Sequence, residues 1–131
     1  MSIVEQKLSS LTAAGQFDIC APGECIHVLS TAAHITYNRR AGGCGRMLKV
    51  LLNGYCSYDC AYCSVRLKRE RLGFSPDEFA EAFLRLWHED LVGGLFLSSG
   101  IPHDVDLVMH DLVETGEILR CRGYDGYLHL K

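Results

Sequence analysis

Three cysteines within eight residues carry the chemistry that this chain advertises most clearly. Cys56, Cys60 and Cys63 stand in the run CSYDCAYC, spaced Cys-x3-Cys-x2-Cys. Thiolates this close in sequence can converge from one loop onto a single compact metal centre. Cysteine thiolates are the ligands of iron–sulfur clusters, and a cubane cluster has four irons. Three local ligands therefore leave one iron open to a substrate or cofactor, by the logic that separates open catalytic metal sites from closed structural ones. The competing centre is a structural zinc held by the three cysteines and a histidine such as His34, a Cys3His set. Zinc sites usually pair two knuckles of x2 or x4 spacing, and no histidine stands near this triad in sequence to complete one.

The chain holds seven cysteines in 131 residues. Its start, MSIVEQKLSS, has neither the basic n-region nor the apolar h-region of a secretory signal. No run approaches the ~18 apolar residues of a membrane span. The expectation is a cytoplasmic chain with reduced thiols, in which metal binding outranks disulfides. Cys20, Cys25 and Cys44, spaced x4 and x18, could join His27 or His34 in a second metal site, but the irregular spacing favours free or buried thiols. Cys121 stands alone in a helical pattern and is expected to pack. The formal net charge of −3 excludes a wholly basic nucleic-acid binder and leaves room for a local basic patch. Arg66, Lys68, Arg69 and Arg71 form such a run. They read as phosphate contacts or as a solvated face paired with Glu70, and the second reading is favoured because no aromatic platform is visible beside them.

The elements that must position the triad are legible around it. The hydrophobic share of 48% fits one globular domain with a moderate core. Residues 1–14 read as an amphipathic helix with Ile3, Leu8 and Leu11 inward. Residues 15–45 contain Pro22, Gly23 and a turn at Ala41-Gly42-Gly43, and read as a loop-rich extension with at most short elements. Residues 47–52 (MLKVLL) form a buried strand interrupted by Lys49, which points to a barrel interior or pairs with a carboxylate. Ser75 caps a helix with Pro76 at its first position and Glu78 completing a capping box. Phe79, Phe83, Leu86 and Trp87 recur along it to about Glu89.

Residues 92–98 (VGGLFLS) form a second strand, ended by Ser98-Ser99-Gly100. A second helix starts near Asp104 or Asp106 and runs to about Arg122, with Val108, Leu112, Val113 and Leu119 inward and Gly123 as its stop. Residues 127–130 form a third strand, which brings His129 and Lys131 to the active side. Asn38 and Asn53 read as turn residues. His88, His103, His110, Glu89, Asp90 and Glu114 read as surface groups, with no paired-carboxylate motif among the acids. Strand, helix, strand, helix, strand is an α/β alternation with parallel strands and right-handed crossovers. Functional loops in such sheets lie at the carboxyl ends of the strands, where the cysteine loop and the Ser-Ser-Gly segment both fall.

The cysteine run, with the aromatic Tyr62 before its last cysteine, resembles the radical S-adenosylmethionine superfamily. The blocks MLKVLLNGYCSYDCAYC, FSPDEFAEAF, GLFLSSGI and RGYDGYLHLK, spanning roughly residues 45–131, are similar to a family of radical S-adenosylmethionine proteins described as acting in DNA modification or repair. Similarity is looser at the N-terminal helix and at Phe17-Asp18-Ile19-Cys20. The resemblance implies that Cys56, Cys60 and Cys63 ligate three irons of a 4Fe-4S cluster and that S-adenosylmethionine chelates the fourth. Reductive cleavage would then give methionine and a 5′-deoxyadenosyl radical, with the cofactor carrying the hard chemistry. Ser98, Ser99 and Gly100 correspond to the glycine-rich segment that binds the cofactor's amino group. The family's frequent glutamate is missing there, so backbone carbonyls and the two hydroxyls would substitute. Tyr62 would lie near the adenine.

The implied partners are S-adenosylmethionine, an electron donor such as flavodoxin or ferredoxin, and nucleic acid as a candidate substrate, with no membrane. The implied architecture is a partial (β/α) barrel. Residues 1–45 form a helix and extension, and residues 46–131 form the first part of the barrel, stopping after its third strand. Family members run longer, and a complete barrel takes about 250 residues, which suggests a fragment, a split gene product or a chain whose barrel a partner completes. The rival expectations are a zinc module without redox chemistry and a non-catalytic subunit.

Overall fold

The apolar run at Arg46–Leu51 is the central strand of a five-stranded sheet. A computed structural model describes residues 3–14, 27–29, 36–38, 46–63, 65–66 and 71–131. In chain order the elements are α1 (Ile3–Ala14), β1 (His27–Leu29), β2 (Thr36–Asn38), β3 (Arg46–Leu51), α2 (Pro76–His88), β4 (Gly94–Ser98), α3 (Val105–Cys121) and β5 (Tyr127–Leu130). The sheet order is β1-β2-β3-β4-β5. β3, β4 and β5 are parallel, joined through α2 and α3, so this part of the chain is α/β as its alternation predicts. The stretch read as loop-rich contributes the two three-residue strands β1 and β2. They form an antiparallel ribbon that meets only the start of β3, at Thr36↔Met47 and Tyr37↔Arg46. Among the described residues no helix is long and apolar enough to cross a membrane.

The parallel register runs from Met47↔Gly94 to Leu51↔Ser98 and from Gly94↔Tyr127 to Leu97↔Leu130. Side chains alternate across a strand, so Leu48, Val50, Leu95 and Leu97 share the core with Phe79 and Phe83 of α2 and Val108, Leu112 and Leu119 of α3. The opposite face carries Met47, Lys49 and Phe96. Ser75 caps α2 as read from the sequence, its hydroxyl accepting from the Glu78 N–H at 3.2 Å. The Glu78 carboxylate reaches Lys7 of α1, at 2.9 and 3.0 Å, and so fastens the first helix to the second. Leu8 and Leu11 of α1 are buried, whereas Ile3, expected inward, is exposed because it opens the helix beyond that contact.

Asp104 caps α3 through the Asp106 N–H at 2.8 Å. Val108, Leu112 and Leu119 face the core as expected, but Val113 is 45% exposed. It lies about 100° round the helix from Leu112, at 3.6 residues per turn. Thr115 and Gly116 take the inward place. A Cβ at Gly116 would meet Leu128 at 3.3 Å and Leu130 at 3.5 Å, so the small residue lets β5 approach the helix closely. Cys121, expected to pack, is exposed. It stands about 200° round from Leu119. Gly123, with φ +94°, ends α3 in the left-handed conformation that glycine adopts freely.

Tyr124 joins the amino ends of β4 and β5. Its ring is buried edge-on against Phe83 and Trp87, with centroids 4.9 and 5.2 Å away. Its hydroxyl donates to the Tyr127 carbonyl at 2.6 Å and lies 3.3 Å from the Gly93 carbonyl. The Arg120 guanidinium lies over the ring and donates to the Tyr124 and Gly126 carbonyls. Burial pushes the phenol up from 10.0 to about 12, against the lowering by Arg120 and with a small rise from Asp125. The folded state thus favours the protonated phenol. Its contribution is complete below pH 10 and is lost as the pH rises towards about 12. Tyr124→Phe should cost about 1–2 kcal/mol near neutral pH. It should also remove this alkaline decline in urea-unfolding stability, and an alkaline profile identical to that of the parent chain would contradict the assignment.

Candidate metal centre

β3 delivers the chain to its carboxyl end, and backbone hydrogen bonds continue where the strand stops. The Leu52 N–H donates to the Ser98 carbonyl at 2.8 Å. Residues 52–54 then pair with residues 72–74. Phe74 N–H donates to the Leu52 carbonyl and Gly54 N–H to the Leu72 carbonyl, both at 2.9 Å, around an isolated Asn53↔Gly73 bridge. The cysteine run is therefore an excursion closed at its base, and Leu11 of α1 packs so near that a Cβ on Gly54 would lie 2.5 Å from its methyl.

A second set of bonds ties this loop to the segment after β4. Gly100 N–H donates to the Asn53 carbonyl at 2.8 Å and Ser57 N–H to the Ile101 carbonyl at 2.7 Å. The Ser57 hydroxyl donates to the Pro102 carbonyl. The Ser99 hydroxyl accepts from the Asn53 backbone N–H at 3.2 Å and from its side-chain amide at 3.0 Å, and donates to the Gly100 carbonyl at 2.7 Å. The approach is close enough to require glycine. A Cβ at Gly100 would stand 3.0 Å from the Tyr55 carbonyl carbon and 3.1 Å from the Asn53 oxygen, with the Tyr55 oxygen nearer still. The two segments marked out by sequence, the triad and Ser98-Ser99-Gly100, are thus brought together. Asn53, read as a turn residue, is the hub between them, and its residue type is equally common in ordinary turns.

Cys56, Cys60 and Cys63 are free thiols. Cys56 and Cys63 rest against the hydrophobic core and Cys60 is exposed at the outer part of the loop. The Tyr58 N–H points at the Cys56 sulfur from 3.4 Å, and the Cys63 N–H donates to the Cys60 carbonyl at 3.0 Å. Arg66 closes the loop on itself. Its Nε pairs with Asp59 Oδ1 at 2.9 Å and its Nη1 donates to the Ala61 carbonyl at 3.2 Å. One member of the basic run is therefore committed to the cysteine loop, while Arg71 is exposed and Lys68, Arg69 and Glu70 lie outside the described residues. Tyr62 is 93% exposed, and Tyr58, not singled out in the sequence, is exposed beside it.

Among the described residues, the one set of three histidine, cysteine or carboxylate side chains with ligand atoms all within 4.8 Å is His110, Asp111 and Glu114, on the outer face of α3. In that set His110 Nδ1 lies 4.0 Å from an Asp111 oxygen and 3.8 Å from a Glu114 oxygen. The three cysteine sulfurs form no such set. Thiolates on one tetrahedral zinc lie about 3.8 Å apart, given Zn–S bonds of about 2.3 Å. A cubane instead puts each thiolate on a different iron and spreads them more widely. The chemistry of the donor set, three free thiols on one loop, fits an iron–sulfur cluster. Cys20, Cys25, Cys44 and His34 lie outside the described residues, and His27 is described only as backbone of β1.

The sheet face turned away from α2 and α3 gathers charge around one ring. Lys49 is 2% exposed, with its Nζ 5.4 Å from the centre of the Phe96 ring. Lys131 Nζ lies 6.0 Å from the same centre, and the His129 ring stacks on Phe96 at 4.5 Å. Tyr127 Oη and His129 Nδ1 are 3.2 Å apart. The strand residue that broke the apolar run thus points to this second face, and His129 and Lys131 share it.

No protein-family model, curated protein or solved structure matches the chain. The packing at Gly100 provides its own check. Gly100→Ala should lower unfolding stability by about 1–3 kcal/mol, the range for overpacking against atoms that cannot yield, in chemical unfolding of the metal-free protein. Unchanged stability would contradict the contact between the two loops.

Proposed function

We propose that this chain carries a 4Fe-4S cluster on Cys56, Cys60 and Cys63 and acts as the N-terminal, cofactor-binding part of a radical S-adenosylmethionine enzyme. The observation that carries the reading is the placement of three free thiols on one loop. That loop lies at the carboxyl end of a parallel strand and is hydrogen-bonded to the loop of the next parallel strand. The Cys-x3-Cys-x2-Cys spacing, with no histidine near it in sequence, favours this centre over a zinc module. When bound, the cluster and S-adenosylmethionine together supply the one-electron cleavage that yields methionine and a hydrogen-abstracting 5′-deoxyadenosyl radical.

The protein's own part is to hold and shield. Cys56 and Cys63, backed by the core, fix two ligands, and the Arg66–Asp59 pair shapes the exposed turn that carries Cys60. The Tyr58 N–H steadies the Cys56 sulfur. The backbone of Ser98, Ser99 and Gly100 lies beside the loop to receive the cofactor's amino group, and the exposed Tyr62 ring is free to cover its adenine. The exposed Cys60 leaves an approach for an electron donor such as flavodoxin or ferredoxin. Lys49 and Lys131 lie near the Phe96 ring, on which His129 stacks, and nucleic acid is the substrate class that the resemblance indicates. In a partial (β/α) barrel, a further strand–helix unit would cover Tyr127 and Leu130 on β5 and the exposed Val105, Met109 and Val113 on α3.

Anaerobic reconstitution with iron and sulfide tests this directly. The chain should bind about four irons and turn brown. Cys56→Ala, Cys60→Ala and Cys63→Ala should each lose most of that iron, and Cys121→Ala, on the outer side of α3, should retain it. Iron content unchanged in Cys60→Ala, or zinc retained with no iron bound, would overturn the proposal.

A further inference from the structure

We infer that Asn53 and Ser99 are a positioning pair that fixes the cysteine loop against the Ser98–Gly100 segment, and that the Ser99 hydroxyl acts through Asn53 and not by touching the cofactor. The inference rests on the proposed cluster site. A hydroxyl offers one donor and two acceptor lone pairs. In Ser99 the donor goes to the Gly100 carbonyl, and both acceptor positions go to Asn53, one to its backbone N–H and one to its side-chain amide. The group has no hydrogen-bonding capacity left for a ligand, although its place in the sequence marks it as a ligand contact.

Asn53 is engaged on every side. Its N–H and amide meet Ser99, its carbonyl accepts from Gly100, and its side-chain oxygen faces Gly73 on the segment that closes the loop. It stands three residues before Cys56. Both side chains are half-buried, which limits competition from water. The cluster ligands and the cofactor's amino-binding backbone come from two different strand ends, so their separation depends on what joins those ends. Ser57, bonded to Ile101 and Pro102, holds the far side of the junction. Asn53 and Ser99 hold the near side. A misplacement of about 1 Å in such a site can cost about a hundredfold in reaction rate.

The test uses the full chain with Asn53→Ala, Ser99→Ala, the double variant and Ser99→Thr, which keeps the hydroxyl. Three quantities are measured: iron bound after anaerobic reconstitution, S-adenosylmethionine affinity by equilibrium dialysis, and amide hydrogen exchange of the metal-free protein. Each alanine variant should load iron like the parent, bind S-adenosylmethionine about tenfold more weakly, and exchange the Gly100 amide about tenfold faster, the effect of losing one typical hydrogen bond. The double variant should be no worse than either single, as expected for two residues that act as one unit, and Ser99→Thr should bind as the parent does.

Normal affinity in Asn53→Ala, losses that multiply in the double variant, or an unchanged Gly100 exchange rate would each overturn the inference. If Asn53→Ala does not fold, Ser99→Ala against Ser99→Thr decides by the Gly100 exchange rate alone. Failure of the parent chain to load iron would sink the proposed cluster, while the exchange rates would still judge the pair.

Discussion

Parallel pairing of β3 with β4, carried past the ends of both strands by the Leu52–Ser98 and Gly100–Asn53 hydrogen bonds, is the constraint on which the candidate site depends. Parallel strands must be joined by a crossover, and α2 supplies it. That connection leaves both carboxyl ends on one side and both following loops free to meet there. The burial of Leu48, Val50, Leu95 and Leu97 under α2 and α3 holds the register, and a shift of one residue would turn these side chains out of the core. Because the register is held, Asn53 and Gly100 arrive opposite one another, and the cysteine loop rises from a base that cannot drift.

The elements from residue 46 onwards were legible in the sequence because each carried two agreeing signals. The dense apolar runs marked β3 and β4, while Ser75-Pro76 and Asp104 marked helix starts through capping chemistry that depends only on local geometry. The departures have equally local causes. Val113 was placed inward on hydrophobicity alone, but the face of α3 is set by where β5 can approach, and that is Gly116. Ile3 and Cys121 stand where helical rotation or the helix end carries them away from the core. β1 and β2, at three residues each, are too short to show a strand period.

The site was legible in part. Cysteine spacing marked the candidate donors, and the parallel register brings the Ser98–Gly100 segment beside their loop. Asn53 gave no warning, since its bonds are made to residues 20 or more positions away. The same applies to the charged sheet face. Lys49 interrupted a strand without indicating which face it served, and only the register brings it, His129 and Lys131 around Phe96. The site thus combines a locally encoded donor set with a setting encoded by long-range pairing. Of the two, the second depends more on the rest of the fold.

The most direct test of the central claim is electron paramagnetic resonance of the reduced, reconstituted protein, recorded with and without S-adenosylmethionine. On this account a cluster signal that changes when S-adenosylmethionine is added is expected, because the proposed three-cysteine set would leave one iron open to the cofactor. A cluster signal indifferent to S-adenosylmethionine, or no cluster signal at all, would contradict it.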